Sequence, residues 1–183
     1  MDRSVAWEEL TLRVESPNLL RHSLAVEAVM RGFAVQLGED PSLWGIAGLL
    51  NGIDMERVRD FPEQRGVMAG EILRNLEADP TVIHAVEASH TDTGKPRRRA
   101  IDRALPVAKA AADLLLGAAL DHPEKRLEVL TVETLLKRHE ALRVNCEQKY
   151  GRMEACTELG LSLSQTYGLA LASMVAIGDA LGL

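Results

Sequence analysis

Between Asn18 and Leu37 the apolar residues fall at Leu19, Val26, Val29, Met30, Phe33 and Leu37, which is the spacing of one face of an α-helix. The same helical period recurs along nearly the whole chain, and it constrains the fold more than any other feature. Aromatic residues make up only 3% of the 183 positions, so a core must come mainly from Leu, Val, Ala, Ile and Met. Such a core suits helices, because strands draw on aromatic and β-branched side chains. No strand pattern, internal repeat or domain-dividing linker is visible. The expectation is an all-α fold of eight or nine helices, with residues 1–183 as a single domain.

Stop and start signals place the helices. Gly38-Glu39-Asp40-Pro41 ends the first long one and opens a second over 42–50. Shorter helices are expected over 66–76 and 81–89, divided by Asp79-Pro80. The loop Thr93-Gly94-Lys95-Pro96 precedes a long helix over 98–120. Helices over 132–142, 147–159 and 164–181 follow, with Leu159-Gly160-Leu161-Ser162 reading as a stop and a new cap.

The net charge of -6 argues against nucleic-acid binding, which needs a basic footprint. The one basic run, Lys95 with Arg97, Arg98 and Arg99, reads as a solvated loop and helix start. No apolar run reaches the roughly 20 residues that cross a bilayer. Cys146 and Cys156 match no zinc spacing and read as free thiols, so a cytoplasmic location is expected. The apolar C-terminal helix suits a core, and would equally cover a partner, a homodimer being one option.

Four polar residues stand where the helical period expects burial: His22, Asn51, His90 and Lys109. Each alone has an ordinary explanation, as a hydrogen-bonded core histidine, a turn residue or a lysine whose stem packs. Together, from four separate helices, they suggest one shared polar cavity. His84, His122 and His139 read as surface positions.

Several stretches then resemble the HD-domain proteins, a metal-dependent phosphohydrolase superfamily. NLLRHSLAVEAVMRGFAVQLGEDPSLWGIAGLLNGIDME looks like the family's opening, FPEQRGVMAGEILR its second motif region, and TVIHAVEASHTDTGKPRR its late His segment and Thr-Gly loop. CTELGLSLSQTYGLALASMVAIGDALGL is similar to the ending of the same group. The resemblance implies an all-α fold with a metal held by a His from the first long helix, a His-Asp pair and a later Asp. The first His is His22 and the late His is His90. The His-Asp pair falls on Asn51 and Gly52, and two further His positions fall on Phe61 and Arg65. The later Asp aligns with Lys109, with Asp113 one turn further on.

The resemblance with these departures implies a degenerate HD domain, with no metal or other cofactor. Three readings stay open. The pocket could run metal-independent chemistry, with His22, His90 and Lys109 as catalytic candidates and Asn51, Asp54 and Arg65 contacting a small anionic or carbonyl molecule. It could bind such a metabolite without chemistry. Or the chain could be a structural or regulatory relic of the fold. A hydrolase with a rearranged metal site is a further alternative.

Overall fold

The computed structural model describes residues 1–143 and 151–183. Its α-helices are α1 (Arg3–Thr11), α2 (Pro17–Leu37), α3 (Pro41–Leu50), α4 (Val67–Asn75), α5 (Pro80–Ala88), α6 (Ala100–Asp121), α7 (Val132–Arg143), α8 (Leu163–Val175) and α9 (Gly178–Leu181). Short 3-10 helices cover Pro62–Gln64, Thr91–Thr93 and Gly151–Leu159. No strand occurs among the described residues, so the fold is all-α.

The caps follow from local chemistry. Asp40 Oδ1 accepts the Ser42 and Leu43 N–H groups at 2.8 and 3.3 Å, and Pro41 holds the first position of α3. Asp79 does the same for α5, accepting Thr81 N–H at 2.7 Å. Ser162 and Gln165 cap α8 reciprocally, through bonds of 3.2 and 2.9 Å.

The core is built on α2 and α6. Phe33, Met30 and Val26 of α2 are fully buried, as are Leu105, Leu114 and Leu115 of α6. α2 packs against α3, α6 and α8, while α5, α7 and the 151–159 turn also cover α6. This explains why α6 is apolar on nearly all sides. At the crossing of α2 and α3 the backbones meet at Gly48. A Cβ there would stand 2.8 Å from the Val26 carbonyl oxygen.

Several expectations need correction. The N-terminal helix α1, capped by Asp2 on Val5 N–H at 3.0 Å, had no sequence prediction. The helix expected over 164–181 is two, broken at Ile177 (φ -123°, ψ 19°). Gly178 meets the chain end there, since a Cβ on it would lie 2.9 Å from the Leu183 carbonyl oxygen. Of the helix expected over 147–159, residues 151–159 are 3-10 in character, and the remainder lies outside the described residues, as does Cys146. Cys156 is buried.

His139 is not a surface residue. It is 1% exposed, on the side of α7 facing α8, and its Nδ1 lies 2.9 Å from the Tyr167 hydroxyl. His84 is only partly exposed, with Nδ1 3.2 Å from the buried carboxylate of Asp102. The basic run is exposed at Lys95, Arg98 and Arg99, as expected, and is also fastened at two points. Arg97 Nε donates to the Ala88 carbonyl at 3.2 Å, and Arg99 donates to Thr81 Oγ1 at 2.7 Å.

Candidate functional site

The first half of α2, the segment after α3, the end of α5 and one face of α6 enclose a cavity of about 590 Å³. His22, Asn51, Arg65, His90 and Lys109 all line it, together with Asp113 and Arg21. Asp54 does not.

α6 supplies one wall. Lys109, Asp113, Leu116 and Leu120 recur at helical spacing and face the cavity in that order. Lys109 Nζ reaches the Ser89 hydroxyl at 3.5 Å and the His90 Nε2 at 3.4 Å. Asp113 Oδ1 lies 3.0 Å from His22 Nε2. That Nε2 has no well-directed hydrogen bond, so the pair meets as charge beside ring nitrogen and not along the N–H axis.

His90 is held by its own turn and by a glycine. Thr93 Oγ1 donates within 2.8 Å of the His90 carbonyl, tying the 3-10 turn together. Gly66 (φ 81°) lies so close to the imidazole that a Cβ there would stand 2.9 Å from the ring. Only glycine combines that backbone conformation with that approach.

The opposite wall is the run of turns over 51–60. Two carboxylates fasten it. Asp54 is fully buried, and its Oδ2 accepts the Gly66 and Ala69 N–H groups at 2.8 and 3.2 Å, at the start of α4. Glu56 accepts the Glu15 and Ser16 N–H groups at 3.0 and 2.8 Å, just before α2, and these donors hold its carboxyl below the usual carboxylate range. Asp54 therefore works as a structural clamp. Neither fastening shows in a local pattern, because the backbone partners of Asp54 lie 12 to 15 residues on and those of Glu56 lie 40 to 41 residues back.

Among the described residues, three polar atoms in the cavity lining are buried without a hydrogen-bond partner: His22 Nε2, Arg65 Nε and Asn51 Oδ1. Asn51 is 1% exposed, and its amide nitrogen donates to the Gly48 carbonyl at the end of α3. Its oxygen is thereby turned away from that carbonyl.

The metal that the resemblance implies does not fit these residues. Asn51-Gly52 offers an amide and no side chain in place of imidazole and carboxylate. His22 and Asp113 face each other, and Lys109 stands beside His90. Among the described residues no group of three or more His, Cys, Asp or Glu side chains is placed to hold a metal ion. A divalent ion needs at least three such donors, and the cations in the lining oppose it.

Asp113 and the aliphatic lining were the parts least visible from sequence. The spacing of Lys109, Asp113, Leu116 and Leu120 along α6 was the signal that could have found them.

An all-helical domain with a central polar cavity, carrying histidines from its first long helix and from the end of α5, defines a helical hydrolase-type domain. The chain belongs to the HD domain family, whose family model matches residues 19–130. It is 33% identical to Ribonuclease Y of Lawsonia intracellularis over 125 residues, which is 68% of this chain and 22% of that protein. It is also 33% identical to Ribonuclease Y of Geobacter sulfurreducens over 132 residues, 72% of this chain and 23% of that protein. The chain thus spans under a quarter of the length of these relatives. No solved structure matches it. No described helix is long and apolar enough to cross a membrane.

Proposed function

We propose that this HD domain binds a small anionic molecule in its central cavity and does not carry out metal-dependent phosphohydrolysis. One observation carries the reading. Among the described lining residues, three cationic side chains, Arg21, Arg65 and Lys109, face one carboxylate, Asp113, in a chain whose net charge is -6. Positive charge is concentrated where a partly enclosed, low-dielectric space strengthens it.

The remaining groups suit an anion as well. Arg65 Nε is a buried donor awaiting an acceptor. Leaving a buried polar group unpaired costs about 1–3 kcal/mol, which a ligand oxygen would relieve. His90 beside Lys109, and Asp113 beside His22, supply two pairs able to pass a proton near neutral pH. A carbonyl ligand would condense with the neutral Lys109 amine: the Nζ–C bond forms first, His90 relays two protons in turn from nitrogen to the former carbonyl oxygen, and the C–O bond then breaks as that oxygen leaves as water.

RNA is not the ligand we infer, although the relatives are named as ribonucleases. Phosphate-backbone binding needs a broad basic surface, and this chain is acidic overall.

The test combines metal analysis with thermal shift. Purified protein should hold no stoichiometric transition metal, and inorganic phosphate should raise its melting temperature. Arg65→Ala and Lys109→Met should each weaken phosphate binding about tenfold, as expected for loss of one charge-assisted hydrogen bond. A transition metal retained at one per chain would overturn the metal-free reading. Absence of any phosphate effect would overturn the anion pocket in favour of a structural relic.

A further inference from the structure

We infer that the cavity's ligand is an amphipathic aliphatic anion, with its charged head between Arg65 and Lys109 and an unbranched hydrocarbon tail running toward Leu120. This rests on the anion-pocket reading and adds the chemistry of the remainder of the ligand.

The order of side chains along α6 points to such a ligand. Lys109 stands at one end of the cavity wall, Asp113 follows paired with His22, and Leu116 and Leu120 complete it. Lys109 to Leu120 is eleven residues, a rise of ~16 Å along the helix. The wall therefore changes from cationic to aliphatic over a distance that suits a medium-length chain. Leu19 of α2 and Met55 of the turn segment extend the aliphatic lining. Leu120 is 45% exposed, which puts the aliphatic end toward solvent. The charged end is the more buried one, with Asn51 1% exposed and the Arg65 Nε enclosed.

The same lining disfavours a flat ring. Proteins that hold bases commonly stack them on aromatic side chains, and none of the described lining residues is Phe, Tyr or Trp. Leucine and methionine instead offer flexible, ring-free apolar surface that a methylene chain can cover.

Asp113 stands midway and would repel a head group placed beside it. Its contact with His22 offsets that charge when the imidazole is protonated, and the head is assigned beyond it, at Lys109 and Arg65.

Isothermal titration of the whole chain with acetate, butanoate, hexanoate, octanoate and inorganic phosphate tests the inference. Affinity should rise by roughly two- to fourfold per added methylene from butanoate to octanoate. Leu120→Ser, a change at a half-exposed position that leaves the core intact, should lower octanoate affinity several-fold and leave phosphate affinity unchanged. Arg65→Ala should weaken both ligands. Equal affinity for acetate and octanoate, with phosphate bound, would overturn the aliphatic assignment and leave the anion pocket standing. If no carboxylate and no phosphate binds, both readings fall together.

Discussion

His139 sits four residues after Leu135 and three before Leu142, so the helical period alone places it on the packed side of α7. The expectation of a surface position is therefore at odds with the period itself. Burial pushes its imidazole below the ordinary histidine range, because the charged form loses hydration. The carboxylates of Glu140 and Glu154 pull it up and Arg143 pulls it down, but both are smaller than burial. With the folded pKa depressed, the unfolded chain binds the extra proton. The stabilising contribution is therefore complete above the unfolded value of ~6.5 and is lost as pH falls below it. Melting temperature should drop between pH 7 and pH 5, and His139→Gln should flatten that slope relative to the parent chain. An unchanged slope in the variant would assign the acid sensitivity elsewhere. At the same scale, the inward aim of His22, Asn51, His90 and Lys109 was legible, since it depends only on the period. The Asp113 contact to His22 was not. It joins α6 to α2 across 91 residues of sequence, a pairing that no local pattern encodes.

The helices themselves were mostly legible, because their punctuation is local: Gly38, Asp40-Pro41, Asp79-Pro80 and Ser162 act through bonds to neighbours a few residues away. What escaped was tertiary. The close approach of α2 and α3 follows from Gly48 meeting another helix. Gly48→Ala should destabilise the protein by about 1–3 kcal/mol, since the new methyl meets backbone atoms of Val26 and Glu27, which cannot rotate away. Gly168→Ala, inside α8, is the natural contrast. Its Cβ would find only Val132 Cγ2 at 3.8 Å, an ordinary contact. That substitution should be neutral, or stabilising by about 0.5–1 kcal/mol through helix propensity. Urea midpoints for the two variants check both signs.

At the scale of the molecule, the cavity gathers α2, the segment after α3, the end of α5 and α6, so an occupant touches parts distant in sequence. Binding to the folded chain alone should then stabilise the whole of it. At a ligand concentration 100 times Kd the gain is about 2.7 kcal/mol. Amide exchange should slow around residues 51–65 and the first half of α2 when octanoate is bound. Protection confined to a single helix would contradict a ligand that bridges these elements. Treating residues 1–183 as one domain remains our proposal, and a single cooperative unfolding transition that shifts as a unit with ligand is its expected signature.

The two walls of the cavity differ in kind. α6 is a buried rail whose residues belong to the core on their other sides, so its cavity face cannot be altered freely. The turn segment over 51–60 meets the scaffold through two carboxylates, Asp54 at α4 and Glu56 at the start of α2. With those anchor points and the buried Ile53 and Val58 kept, the exposed residues around them are an exchangeable cassette. Grafting alternative turn sequences between Ile53 and Arg65 would retune which molecules enter without rebuilding the helices that carry the fold.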